Sequence, residues 1–177
     1  MRIIGGTHAG RRLNPPATLP VRPTTDLAKE SLFNVLRHRM DFDGLRALDL
    51  FAGTGNIAFE LASRGASEVV AVDIHGKCLQ YIRATADALG LPAIRTLKAD
   101  VLKYLRTGPG EFDFVFADPP YDLPQLPQLP ALALEAGLLR TGGLLLLEHS
   151  ANRRIALHPY LVDQRTYGKS AFSIFQP

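Results

Sequence analysis

The sequence predicts an α/β fold: a doubly wound, mostly parallel seven-stranded sheet that finishes in an antiparallel hairpin. Three observations carry this expectation. Short apolar runs alternate with helix-length segments, a glycine-rich turn follows the first run, and the last two runs have no helix between them. At 177 residues, 46% hydrophobic and 21% charged, the chain has the length of one ordinary domain and enough apolar content for a sizeable core. The expected organisation is a single domain over 1–177, with an N-terminal extension over 1–45 and the α/β core over 46–177.

The elements follow in order. Arg22-Pro23-Thr24-Thr25-Asp26 opens a helix that Thr24, Thr25 or Asp26 can cap, and Leu27, Leu32, Phe33, Val35 and Leu36 give it an apolar face to about Met40. Ala47–Phe51 reads as the first strand, followed by the glycine turn and a helix through about Arg64. A strand over Glu68–Val72 precedes a helix from Gly76 to Leu89, and a strand over Ala93–Lys98 precedes a short helix over Val101–Thr107. Phe112–Ala117 is the fourth strand, and Gly143–Glu148 the fifth after a helical Leu129–Leu139. Tyr160–Thr166 and Ala171–Phe175 close the chain as a hairpin through Tyr167-Gly168-Lys169-Ser170.

Charge placement says more than the net charge of +3. Before Asp26 the chain carries Arg2, Arg11, Arg12 and Arg22 and no acid, interleaved with glycines and prolines. This reads as an extended basic arm suited to a polyphosphate partner, or as a solubilising strand and loop. The longest apolar runs fall far short of the roughly 20 residues a membrane span needs, so none is expected. Arg2 is followed by no continuous apolar stretch, so no secretory signal is expected either. The lone Cys78 excludes an internal disulfide, and the five scattered histidines show no metal-ligand spacing. A cytoplasmic protein without a metal is the resulting expectation.

The chemistry concentrates at strand ends. Asp49, Asp73, Asp100 and Asp118 lie at the ends of four predicted strands, and in a parallel sheet those ends share the edge where ligands bind. Gly53-Thr54-Gly55-Asn56-Ile57-Ala58 matches G-x-G-x-x-A, a turn that lets a ligand approach the backbone at a helix N-terminus. Asp73 lies 20 residues after Gly53, where a ribose-binding acid belongs, so a nicotinamide-dependent oxidoreductase is a rival reading. Against it, Asp49 would repel a dinucleotide's phosphates but attract the ammonium of an amino acid. In Asp118-Pro119-Pro120-Tyr121, Asp118 and the Pro119 carbonyl can accept both protons of an exocyclic amine, and Tyr121 offers a face on which a base can stack. Glu148-His149-Ser150 lacks a G-x-S-x-G nucleophile elbow, so His149 is not read as a general base, and Cys78 is read as a buried small side chain.

With these motifs in place, the chain resembles the RsmD-like ribosomal RNA guanine-N2 methyltransferases, members of the Rossmann-like, class I methyltransferases that use S-adenosylmethionine. The resemblance runs nearly end to end through Arg2-Ile3-Ile4-Gly5-Gly6, Gly10-Arg11-Arg12-Leu13, Arg22-Pro23-Thr24-Thr25-Asp26, Asp49-Leu50-Phe51-Ala52-Gly53-Thr54-Gly55, Asp118-Pro119-Pro120-Tyr121 and Tyr167-Gly168-Lys169-Ser170. It implies that Asp49, Phe51, Gly53 and Gly55 surround the methionine part of the cofactor. Asp73 would hold the ribose and Asp100 the adenine amine, with Ile74 and Val101 among the cofactor contacts. Asp118, Pro119, Pro120 and Tyr121 would hold a flipped guanine at N2, and Arg2, Arg11, Arg12, Arg22, Thr24 and Thr25 would meet the RNA. The partner it implies is small-subunit ribosomal RNA, as RNA or within an assembled particle; a monomer is expected on the separate ground that the sequence shows no obvious apolar patch. The sequence departs from the family pattern at Asp73, Leu27, Lys29, Ala58 and Thr85. Methyl transfer to adenine N6 or to a protein glutamine is the alternative within the same chemistry, and an RNA-binding assembly chaperone the non-enzymatic one.

Overall fold

The computed structural model describes residues 1–21, 25–108 and 110–177, so Arg22, Pro23 and Thr24 of the predicted helix opening lie outside the described residues. Seven strands form one sheet: β1 Arg46–Leu50, β2 Glu68–Asp73, β3 Ile94–Lys98, β4 Phe112–Ala117, β5 Leu139–Ser150, β6 Leu161–Tyr167 and β7 Ser170–Phe175. Their order is β3-β2-β1-β4-β5-β7-β6. β1 to β5 run parallel, while β7 pairs antiparallel with both β5 and β6. The helices are α1 Asp26–Leu36, α2 Asn56–Ser63, α3 Gly76–Leu89, α4 Val101–Thr107 and α5 Leu129–Glu135. No helix among the described residues is long and apolar enough to cross a membrane.

The sheet is buried on both faces because its strands are apolar at successive positions, not only at alternate ones. Ala47, Ala71, Phe114, Phe116, Leu144, Leu146 and Phe172 pack with α1, α2 and α3 on one face. Leu48, Leu50, Val72, Val115, Ala117, Leu145 and Leu147 pack with α4 and α5 on the other. The chain order reverses between β1 and β4, which places a crevice at their carboxyl ends.

Several boundaries differ from expectation. α1 ends at Leu36 rather than near Met40, because the amides of Arg39 and Met40 both close on the Leu36 carbonyl in a tight final turn. The helix expected to Leu139 stops at Glu135, ended by Gly137 at φ +66°. β5 starts at Leu139 instead of Gly143, pairing Phe112 with Leu139 before a register shift.

The basic arm is not extended. Arg2 bridges Arg12, the Ile3 amide donates to Arg11, and Gly6–His8 forms a 3-10 turn between them, so residues 1–13 make a compact hairpin. Ile3 and Leu13 are buried, and the hairpin docks on α2. Glu60 accepts the Ile4 and Gly5 amides at 2.7 and 2.8 Å, and Ser63 Oγ donates to the Gly5 carbonyl at 2.6 Å. Hydrogen bonds to a carboxylate outweigh the freedom of a glycine-containing tip, so the segment folds back. The side chains of Arg2, Arg11 and Arg12 remain exposed.

Candidate active site

A cleft of about 510 Å³ opens at the carboxyl ends of β1, β2 and β4. Its floor begins with the glycine turn. The Ala52 amide donates to the Val72 carbonyl, Phe51 takes φ +61° and Gly53 φ +54°, and the turn ends at Gly55, φ +73°, which caps α2. A Cβ on Gly55 would stand 2.7 Å from Ile82 and 3.0 Å from the Phe59 ring, so conformation and space both require glycine there.

Around this turn stand the strand-end acids. Asp49, buried within β1, accepts the amide of Ala58 in the first turn of α2 at 3.1 Å. Burial pushes its carboxyl up to about 8, the Asp73 charge adds to the shift, and the Ala58 hydrogen bond opposes it. Asp73 ends β2 and accepts the Gly53 amide at 2.8 Å through one oxygen; the other takes the His75 amide at 2.7 Å and faces His75 Nδ1 at 3.0 Å. Asp100 caps α4 through the Lys103 amide at 3.0 Å. Exposed Ile74 with Val101 and Leu102 adds apolar wall between these acids. Asp73, His75 and Cys78 bring ligand atoms within 4.8 Å of one another, and burial, with the Asp73 charge adding, pushes the Cys78 thiol up to about 11.

The other half of the cleft is built by β4 and β5. Asp118 follows β4, and its amide donates to Leu50 across the switch point. The register pairs Ala117 with Leu147, so Asp118 and the buried Glu148 are side by side on adjacent strands. Burial raises the Asp118 carboxyl well above its usual range, and the charges of Glu148 and Asp49 raise it further. Tyr121, 42% exposed, shares a 3.0 Å hydrogen bond with the Ser170 hydroxyl, which anchors its phenol to the start of β7 and leaves its ring open to the cleft. The closing hairpin is therefore part of the site.

Of the residues singled out from sequence, Asp49, Phe51, Gly53, Asp73, Ile74, Asp100, Val101, Asp118, Pro119, Pro120, Tyr121 and Thr25 all line the cleft. Gly55 lies beneath it, shaping α2. Arg2, Arg11 and Arg12 stand on the N-terminal hairpin rather than in the cleft wall, and Arg22 and Thr24 lie outside the described residues. His149 is buried and turned away, bonded to Ser173 Oγ and the Ser150 carbonyl at 2.9 Å each, and burial lowers its basicity. Cys78 is buried. Sequence reasoning missed Asn56, His75, Leu102, Glu148 and Ser170 in the walls. Glu148 carried a usable signal, since it ends a predicted apolar strand much as Asp118 follows one.

The family described as Conserved hypothetical protein 95 matches residues 1–176. The chain belongs to this family. Among its relatives is a Bacillus subtilis protein named "Putative rRNA methyltransferase YlbH", 35% identical over 99% of this chain and 98% of that one. The Escherichia coli "Ribosomal RNA small subunit methyltransferase D" is 27% identical over 99% of this chain and 89% of its own length. A solved structure described as "Putative methyltransferase yhhF from Escherichia coli" superposes with a TM-score of 0.87 and 25% identity, covering 99% of this chain and 96% of that one. The seven-stranded sheet with its antiparallel end is the class I methyltransferase fold.

Proposed function

We propose that the cleft binds S-adenosylmethionine and that the chain, working as one domain and as a monomer, methylates the exocyclic N2 of a flipped guanine in small-subunit ribosomal RNA. The observation that carries this reading is the juxtaposition of two half-sites: a glycine turn ringed by Asp49, Asp73 and Asp100, and, directly across the switch point, Asp118-Pro119-Pro120-Tyr121. Relatives named as ribosomal RNA methyltransferases support the substrate class.

The residues present fit the cofactor chemically. Asp49 is a buried carboxyl suited to an ammonium, Asp73 an acceptor suited to ribose hydroxyls, and Asp100 an acceptor suited to an adenine amine. Ile74, Val101 and Leu102 supply the apolar surface that a flat base requires. When bound, the cofactor supplies an electrophilic methyl group on a sulfonium. The chain's own task is alignment and electrostatics. Asp118 and the Pro119 carbonyl accept hydrogen bonds from the two amine N–H groups, and the Tyr121 face, steadied through Ser170, stacks the base. An amine donor and a nearby cation both draw Asp118 toward its carboxylate form, the form that can accept. Arg2, Arg11 and Arg12 meet RNA phosphates, joined by Arg22 and Thr24, while Thr25 borders the cleft mouth.

The decisive experiment incubates the protein with methyl-labelled S-adenosylmethionine and small ribosomal subunits lacking the modification, then identifies labelled nucleosides by mass. Label in N2-methylguanosine is the expected result. Label in N6-methyladenosine or in protein would move the reading to another amine, and no label from folded protein would overturn it. Parallel incubation with the naked RNA establishes whether an assembled particle is required.

A further inference from the structure

Lys29 sits on the apolar face of α1 and is wholly buried. Its ammonium donates to the Arg2 carbonyl and, at 2.8 Å, to the Asn56 side-chain oxygen, and it lies 3.2 Å from the Glu60 carboxylate. Since an ammonium only donates, Asn56 must turn its amide oxygen toward Lys29. Glu60 is also paired with Arg64 at 2.8 Å and accepts the Ile4 and Gly5 amides. One buried charge cluster thus joins the N-terminal hairpin, α1 and α2, and it ends on Asn56, the first residue of α2 and part of the cleft wall.

Stability alone does not account for such a cluster. Removing charges from water is so costly that a well-packed apolar side chain of similar volume holds elements together at least as well as a buried ion pair. Burial works against the Lys29 charge, and the Glu60 carboxylate offsets only part of that effect. An apolar side chain, however, cannot orient an amide or hold the start of a helix in one register. Ala58, two residues on in the same turn, carries the amide that Asp49 accepts, so a shift of this helix end passes directly into the acid ring.

We propose that Lys29 is a positioning residue for the cofactor cleft: through Asn56 and Glu60 it holds the first turn of α2 in the place from which the glycine turn and Asp49 meet the ligand. The inference rests on reading the cleft as an S-adenosylmethionine site. It also makes the N-terminal hairpin, through the Arg2 carbonyl, a brace of that site.

Titration calorimetry of S-adenosylhomocysteine into RNA-free protein tests both readings separately. Wild type is measured first, and failure to bind would overturn the reading of the cleft and this inference with it. Given binding, Lys29→Met, which leaves Glu60 paired with Arg64, is expected to fold and to weaken affinity about tenfold, the loss typical of one charge-assisted hydrogen bond. Asn56→Ala is expected to weaken it comparably, and the double variant to be little worse than either single one, because the two act through one contact. Lys29→Arg, which keeps a donor, should recover part of the loss, and in turnover Lys29→Met should raise KM for the cofactor more than it lowers kcat. Wild-type affinity in folded Lys29→Met, or fully additive effects in the double variant, would overturn the inference. If Lys29→Met does not fold, Asn56→Ala, which leaves the ion pair intact, decides: wild-type affinity in that variant would overturn it equally.

Discussion

Asp49 is held near 8 by its burial, with the Asp73 charge adding and the Ala58 amide opposing. A carboxyl with a raised folded value binds more protons folded than unfolded, so its contribution to stability declines as pH rises from about 4 toward 8. Asp49→Asn keeps an acceptor for Ala58 and has no charge to bury, so its melting temperature should gain on wild type progressively over that window; parallel melting curves would show the account to be wrong. The same protonation predicts that S-adenosylhomocysteine, whose ammonium favours the carboxylate, releases protons on binding near pH 7. Calorimetry in buffers of different ionisation enthalpy measures this, and Asp49→Asn should reduce the release. Asp118 bears on turnover instead. Its carboxyl is raised by burial, then by Glu148 and Asp49, and the proposed transfer step needs it as an acceptor, so kcat should climb with pH at values above the range of an ordinary carboxyl. Asp118→Ala should lose transfer by about two orders of magnitude or more, while cofactor affinity persists. Near-full turnover in that variant would remove Asp118 from the amine site. The acids themselves were legible as strand endings, but their mutual influence was not, because charge coupling depends on distance through space.

Among the elements, the N-terminal hairpin departs furthest from its sequence appearance. Composition shows only that it is basic and poor in helix formers, and both remain true. Its docking depends on Glu60 and Ser63, residues of α2 more than fifty positions away. Gly6 makes the docking close: it takes φ +77°, and a Cβ there would lie 1.8 Å from the Ser63 carbonyl. Gly6→Ala should therefore detach the hairpin, lower unfolding stability by about 2 kcal/mol or more, and open residues near the turn to limited proteolysis. An unchanged denaturation midpoint would mean that the hairpin contributes nothing to the fold. α1 shows the complementary case. Lys29 lies three, four and seven residues before Leu32, Phe33 and Leu36, the spacing of one helix face, so its burial was present in the pattern. A lysine reads as solvated because its partner, Glu60, belongs to another helix.

For the whole molecule, a net charge of +3 is too small to explain attraction to RNA without local concentration. In the proposed reading, the exposed Arg2, Arg11 and Arg12 of the docked hairpin provide that concentration. Replacing Arg11 and Arg12 together by Ala should weaken RNA binding and lower the slope of log affinity against log salt by about one to two. An unchanged slope would assign both residues to structure alone. The chain by itself determined the order of strands and helices, the glycine turn, the closing hairpin and the acids at strand ends, because hydrophobic period, glycine conformation and turn chemistry act over a few neighbouring residues. Only the tertiary structure decided which of those acids share a cleft, that Glu148 stands beside Asp118, that Ser170 steadies Tyr121, and that Lys29 is sealed against Glu60 and Asn56 of α2. Those relations are set by strand order, register and the closeness of residues distant in sequence, and local spacing carries no information about them.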